Sequence, residues 1–288
     1  MRNIFTLTRP HQYVKNLFIF LPLFFAGQIT DLELLLNVSI AFVAFSVTAS
    51  AIYIINDLQD IEEDRQHPRK KYRPLAQGNV SKKNALFLMS ILFIVGISMM
   101  ATLSLTAFGI LSAYITLNIG YSYYLKYIAI LDVTIIAIGF VLRLFVGSKV
   151  SEVPLSMWIV IMTFLLALFM ALAKRRDDVH LFLKTGKKMR KVTGNYNLKF
   201  IDGLLIIMAS VVIVTYVLYT TSIEVVQRLQ SEYIYLTALF VILGLMRYLQ
   251  LAFVENESSS PTMILLKDKF MLLTVLAWVF SFALIIYL

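Results

Sequence analysis

The chain has 288 residues, 59% of them hydrophobic and 15% charged, with 26 Lys and Arg against 17 Asp and Glu and no Cys. A soluble core cannot hide that much apolar surface, whereas a multi-span membrane protein can turn it toward lipid. The missing cysteines exclude disulfides, thiolate metal sites and Cys nucleophiles, and none of the three histidines has a partner at i+4 to suggest zinc.

Nine apolar stretches follow one another along the chain, at 15–29, 33–56, 84–102, 105–124, 129–148, 154–173, 200–222, 232–253 and 269–287. Crossing a bilayer core takes about 20 such residues per helix. The expectation is therefore an all-α, polytopic membrane protein of nine transmembrane helices, one domain over 1–288, with charged cytoplasmic loops at 57–83 and 174–199. The first stretch is the shortest, and its "LPLFFAG" ending mimics a signal peptide. Arg9, His11 and Lys15 ahead of it instead suit a cytoplasmic lead-in to a retained helix. The outward connections at 30–32, 103–104 and 149–153 are short, as antiparallel neighbours require.

Of the 26 basic residues, 22 fall at or before the start of the first stretch, or in or at the edge of the alternate connections that include 57–83 and 174–199; two, Lys149 and Arg228, fall on the other side, and Arg143 and Arg247 lie within stretches. The positive-inside rule then places the N-terminus and both loaded loops in the cytoplasm. The net charge of +9 is thus mainly topogenic. Phosphate substrates and anionic headgroups account for the remainder better than nucleic acid, for which no reading motif is visible.

The segment "NDLQDIEEDRQHPRKKYRP", 56–74, follows the second stretch at once. Asp57, Asp60 and Asp64 stand at i, i+3 and i+7, a spacing that puts their carboxylates on one face of a continuous helix. Acids so close repel unless a cation offsets them, and hard oxygen ligands of this kind suit Mg²⁺, which completes its shell with water and substrate phosphates. Asn56 adds a neutral oxygen at the same mouth, and Arg65, Arg69, Lys70 and Arg73 supply positive charge beside the acids. Further on, "YSYYLKYIAILDVTIIAIGFVLR" holds Tyr121, Lys126 and Asp132 near the junction of the fourth and fifth stretches, with Arg143 inside the fifth. An Arg within a span is costly and usually faces a bundle interior or aqueous cavity, where its guanidinium can grip a phosphate. In "KRRDD", 174–178, Lys174, Arg175 and Asp178 emerge from the sixth stretch, and Lys15 lies at the membrane plane ahead of the first.

"NDLQDIEEDRQHPRKKYRPLAQG" resembles the first aspartate-rich motif, N-D-x-x-D-x-x-x-D, of the UbiA superfamily of intramembrane prenyltransferases, and the likeness covers nearly the whole chain. Most of that superfamily carries a second D-x-x-x-D motif, whereas here Asp132 is followed by "VTII" with Ile136 where an acid would stand. Together with "RPHQYVKN", "LDV…GFVLR…G" and "KRRDD", the pattern looks like the decaprenyl-phosphate phosphoribosyltransferase branch. The family residues at the last motif are usually Lys-Arg with a nearby Glu, where this chain has Asp177 and Asp178.

The resemblance implies a UbiA-type helical bundle and Mg²⁺-dependent transfer of 5-phosphoribose from 5-phosphoribosyl 1-diphosphate (PRPP) to a polyprenyl phosphate, with diphosphate released. It implies a site facing the cytoplasm from the cell membrane, serving cell-envelope precursor synthesis. Asp57, Asp60 and Asp64 would hold Mg²⁺; Lys126, Tyr121 and Arg143 would place the lipid phosphate, and Lys174 and Arg175 the ribose 5-phosphate, with these last two assignments exchangeable. Membrane lipid is the other partner, and homo-oligomerisation is left open. The alternative within the superfamily is an aromatic or quinone-precursor prenyltransferase using a prenyl diphosphate, against which the missing second motif counts.

Overall fold

The computed structural model describes residues 2–66, 70–186, 191–255, 264 and 267–287. Among these residues every regular element is a helix, and the chain divides into two compact units, Met1–Ser156 and Met157–Leu288.

The first unit opens with α1 (Arg2–Thr8), a 3₁₀ helix over Pro10–Phe20 and the short α2 (Leu21–Phe25). Then come α3 (Leu32–Gln59), α4 (Ile61–Gln66), a 3₁₀ turn at Lys70–Tyr72, α5 (Lys82–Leu103), α6 (Leu105–Tyr123), a 3₁₀ turn at Leu125–Tyr127 and α7 (Leu131–Ser151). Side chains start the long helices: the Asp31 carboxylate accepts from the Glu33 and Leu34 amides, and Ser81 and Ser104 cap α5 and α6 in the same way. Helix α3 is the hub, packed against α5, α6, α7 and the 3₁₀ helix. Its buried face is rich in small side chains (Ala41, Ala44, Ser46, Thr48, Ala49, Ser50, Ala51), which let neighbouring backbones come close. At Gly96 of α5 an added Cβ would overlap the Thr48 hydroxyl and lie 2.7 Å from the Ala44 carbonyl oxygen, so only glycine permits this crossing.

The second unit comprises α8 (Met157–Thr185), a 3₁₀ turn at Lys191–Asn195, α9 (Leu198–Thr221), α10 (Ile223–Leu229), a 3₁₀ turn at Glu232–Thr237, α11 (Ala238–Phe253) and α12 (Lys269–Tyr287). Polar ties join its helices where hydrocarbon would otherwise leave hydroxyls unpaired. The Trp278 Nε1 donates to the Tyr216 hydroxyl at 2.7 Å, which also meets Thr237 at 2.7 Å. Arg247 of α11 reaches Asp268, at the start of α12, at 2.7 Å.

Seven helices among the described residues are long and apolar enough to cross a membrane. Of the nine expected spans, α6 falls outside that set, its hydropathy diluted by Tyr114, Asn118, Tyr121 and Tyr123. The 15–29 stretch is not one α-helix: Pro10 and Pro22 each lack an amide donor, and the chain runs as 3₁₀ before α2. At about 2 Å of rise per 3₁₀ residue and 1.5 Å per α-helical residue, the 16 residues of these two helices, 10–25, amount to roughly 30 Å of helix, the thickness of a bilayer core. The expected loops at 57–83 and 174–199 also carry helix: α3 continues to Gln59, α4 and a 3₁₀ turn follow, and α8 continues to Thr185. Helix α8 outruns its apolar stretch because Leu, Phe, Lys and Arg are all good or tolerable helix formers once the helix has started.

Candidate active site

The acidic motif does not form one helical face. Helix α3 ends at Gln59, Asp60 caps it with φ −97° and ψ 9°, and α4 begins at Ile61. This break sends the three carboxylates to two places. Asp57 and Asp64, each 2% exposed, converge on Arg73: its Nη1 donates to Asp57 Oδ1 at 2.9 Å and to Asp64 Oδ2 at 2.6 Å. Arg9 also pairs with Asp57, and the Lys70 ammonium is 3.9 Å from Asp64. Asp60 turns instead to Lys126, whose Nζ donates to it at 2.5 Å.

A small apolar cluster carries this arrangement. Leu7, Ile54, Ile61, Leu75, Val80 and Ala85 pack together, clamping α4 and the 70–80 segment onto the end of α3. The segment turns at Gly78, whose φ of +78° few side chains tolerate. Arg65 serves this loop and not the acids: it is half exposed, pairs with Glu62 at 2.8 Å and donates to the Ala76 carbonyl at 3.1 Å. Arg69 lies outside the described residues.

Burial pushes the Asp64 carboxyl above the usual carboxylate range, although the charges of Arg73 and Lys70 pull the other way. For Lys126 burial pulls downward, but the hydrogen bond and charge of Asp60, helped by Tyr127, hold the ammonium above an ordinary lysine. Lys126 is 6% exposed in the Leu125–Tyr127 turn, its ammonium 5.1 Å from the Tyr127 ring centre. Asn56 is oriented from α6, where the Ser122 hydroxyl donates to its Oδ1 at 2.6 Å. Tyr121 stands half-buried beside Ser122, and Asp132 is fully buried in the first turn of α7. That turn is entered through Ile130 at φ +72°, a strained conformation for a β-branched residue.

Arg143 is buried, as an intramembrane charge requires, but its guanidinium is already engaged. Its Nε donates to Asn16 Oδ1 at 2.8 Å, Nη1 to the Gly139 carbonyl at 2.6 Å and Nη2 to the Tyr114 hydroxyl at 3.2 Å. The rings of Phe45, Tyr114 and Phe140 surround it at 4.8, 5.1 and 5.2 Å. Among the described residues no carboxylate pairs with it, so its charge is stabilised by neutral dipoles and ring faces. Lys15 is half-buried on the 3₁₀ helix next to Asn16, which donates to Ser46 at 2.8 Å.

In the second unit, Arg175 is 1% exposed and donates to Asp178 at 2.8 Å, while Lys174 is exposed. Its neighbour Arg176 donates through Nε to Asp202 of α9 at 2.7 Å and lies over the Phe253 ring of α11. Sequence reasoning passed over Arg9 as topogenic and missed Ser122, Asn16, Arg176 and Asp202. Only Arg9, basic and directly before a proline at the membrane edge, carried a local signal.

Among the described residues no three His, Cys, Asp or Glu side chains gather closely enough to hold a metal ion between them. The Asp57–Asp64 pair nonetheless fits Mg²⁺, because the two carboxylates already point at one shared cation position, that of Arg73 Nη1. One or two protein carboxylates are what Mg²⁺ takes when phosphates and water fill its other positions. Asp60, committed to Lys126, stands apart from that pair.

The family model for the UbiA prenyltransferase family matches residues 16–273. A decaprenyl-phosphate phosphoribosyltransferase of Corynebacterium glutamicum is 30% identical over 285 residues, 97% of this chain and 85% of that one. A protein of the same name from Mycolicibacterium smegmatis is 30% identical over 289 residues, 97% of this chain and 91% of its own length. Among solved structures, a UbiA homolog from Archaeoglobus fulgidus bound to GPP and Mg²⁺ superposes with a TM-score of 0.71 at 18% identity, covering 98% of each chain. At that identity the likeness establishes the fold. With its apolar helices, its acidic motif at the end of α3 and a match over most of its length, this multi-pass membrane protein belongs to the UbiA prenyltransferase family.

Proposed function

We propose that the protein transfers 5-phosphoribose from PRPP to a polyprenyl phosphate, releasing diphosphate. The observation that carries this reading is the near full-length similarity to relatives named decaprenyl-phosphate phosphoribosyltransferase. The charge pattern of the site supports it: one acid pair with Arg9, Lys70 and Arg73 around it, and Lys126 a short distance along the chain from α6. Ile136 stands where a second acidic motif would serve a second metal-bound diphosphate.

Asp57 and Asp64 are assigned to hold Mg²⁺, in keeping with the Mg²⁺-bound Archaeoglobus fulgidus homolog. Bound there, Mg²⁺ would supply positive charge against the charge that builds on a departing diphosphate. Arg73, Arg9 and Lys70, now paired with these acids, turn their N–H groups to the diphosphate oxygens and stabilise that charge further. As the bond from ribose C1 to the diphosphate oxygen lengthens, C1 gains oxocarbenium character. A lipid phosphate oxygen then bonds to C1 from the opposite face, and the electron pair of the broken C1–O bond leaves with diphosphate. The attacking phosphate is already ionised, so no residue has to remove a proton.

Lys126, kept charged by Asp60, and Tyr121 are assigned to the lipid phosphate. Arg143, with three of its N–H groups engaged, contributes fixed positive potential in the first unit. In the second unit, Lys174 and Arg175 are assigned to a phosphate group, with Asp178 orienting Arg175. Lys15, Asn56 and Asp132 shape the first unit's polar end. The 22-to-2 division of basic residues supports a site that faces the cytoplasm from a cell membrane. The deciding experiment incubates purified protein with Mg²⁺, PRPP and a polyprenyl phosphate and measures diphosphate release. A parallel incubation uses prenyl diphosphate and 4-hydroxybenzoate, and turnover there without turnover of PRPP would overturn the assignment.

A further inference from the structure

Four buried side-chain atoms have no hydrogen-bond partner among the described residues, and all four belong to the second unit: Arg176 Nη1, His180 Nε2, Thr193 Oγ1 and the Tyr248 hydroxyl. Arg176, Thr193 and Tyr248 are 4%, 1% and 2% exposed, so bulk water does not reach them. Folded proteins leave few buried polar atoms unpaired, so each of these needs an explanation, and a bound molecule is one.

The elements that carry them meet at one end of the unit. Arg176 and His180 stand one turn apart on the same face of α8, beyond its apolar part. Thr193 lies in the 3₁₀ turn Lys191–Asn195, which packs on α8. Tyr248 is in the closing turns of α11, its ring 5.2 Å from that of Phe169 of α8. The Arg176 guanidinium lies 5.2 Å from the Phe253 ring of the same helix. Asp202 holds the Arg176 Nε at 2.7 Å, which fixes the plane of the guanidinium and leaves Nη1 for something else.

The chemistry of the set selects the ligand. A guanidinium N–H, an imidazole N–H and two hydroxyls can all donate at once, which asks for a ligand with many acceptor oxygens. Among the described residues the charge nearby is mixed: Lys174, Arg175, Arg176 and Lys184 of α8 stand against Asp177 and Asp178, with Asp202 the further acid on α9. Arginine fixed by a second-side partner is well suited to planar recognition of phosphate.

We propose that Arg176, His180, Thr193 and Tyr248 form a binding site for a phosphomonoester dianion in the second unit. This goes beyond the transfer reaction, because it requires only that the chain bind a phosphate group there. The phosphate is carried either by a soluble sugar phosphate or by a lipid headgroup.

The test uses full-length protein in phosphatidylcholine nanodiscs. One arm titrates ribose 5-phosphate by calorimetry; the other measures the rise in unfolding temperature when phosphatidic acid is added to the disc. Tyr248→Phe removes one hydroxyl and Thr193→Val replaces one with a methyl group, and both avoid the folding risk of removing Arg176 from Asp202. Each is expected to weaken binding about tenfold in the arm that binds, the loss of one hydrogen bond to a charged group. Each is also expected to leave the unfolding temperature of the ligand-free protein unchanged or higher, since an unpaired buried hydroxyl is removed. Binding in neither arm overturns the proposal, as does undiminished binding by both variants. A lowered ligand-free unfolding temperature in both variants, without any loss of binding, identifies an internal water and overturns it too. A failed transfer assay leaves this outcome untouched, so the two conclusions fall separately.

Discussion

Arg73→Gln isolates the electrostatic heart of the acidic motif. In the native structure one guanidinium nitrogen lies 2.9 Å from Asp57 and 2.6 Å from Asp64, and both carboxylates are 2% exposed. A hydrogen bond to a charged group contributes about 1.5–3 kcal/mol, so two of them amount to roughly 3–6 kcal/mol. The side chain of Arg73 is 25% exposed, and Arg9 and Lys70 still face the acids, so solvent and the remaining cations reduce the loss. About 3 kcal/mol is expected, near the lower end for breaking a buried pair. At about 2–4 °C per kcal/mol for a unit of this size, the unfolding temperature should fall by roughly 6–12 °C. The second half of the prediction is specific to a shared cation position. Millimolar Mg²⁺ should restore much of the lost unfolding temperature in Arg73→Gln and raise that of the native protein far less, because only the variant lacks a cation between its carboxylates. Thermal unfolding followed by far-ultraviolet circular dichroism in detergent, with and without EDTA, measures both. A variant as stable as the native protein, or one whose instability ignores Mg²⁺, would refute the reasoning.

Other outcomes follow from the same geometry. Asp57→Asn and Asp64→Asn should each abolish diphosphate release from PRPP while the protein still elutes as a folded species, since an amide keeps the shape and loses the charge; unchanged rates in either variant, or full native turnover in EDTA, would end the metal assignment. Lys126→Ala should raise the apparent KM for polyprenyl phosphate by about ten- to a hundredfold and that for PRPP much less. The reverse pattern in steady-state kinetics would exchange the two phosphate sites. Gly147→Ala should destabilise the first unit strongly, because its Cβ would overlap the Ile19 carbonyl of the 3₁₀ helix. A native unfolding temperature would show that the 3₁₀ helix does not rest on α7. Single cysteines at positions 79 and 186 should resist an impermeant thiol reagent applied to intact cells, and labelling from outside would invert the topology.

The sequence by itself determined what local chemistry controls. Long apolar runs dictated helices that cross a membrane, because no other element satisfies its own backbone in lipid, and the one-sided Lys and Arg set the expected orientation. The N-D-x-x-D-x-x-x-D spacing identified the family, since it is a short-range pattern readable without a partner. Only the tertiary structure decided what those acids meet. The helix break at Asp60 separates an Asp57–Asp64 pair from an Asp60–Lys126 pair whose members are 66 residues apart, and no periodicity encodes that choice. The same holds for Arg143: its cost within a span was plain from sequence, but its neutral acceptors come from Asn16, 127 residues away, and from Tyr114. Arg175 and Arg176 are adjacent and alike in sequence. One helical step of about 100° turns the first to Asp178 and the second to Asp202, and so decides which guanidinium keeps an unpaired nitrogen.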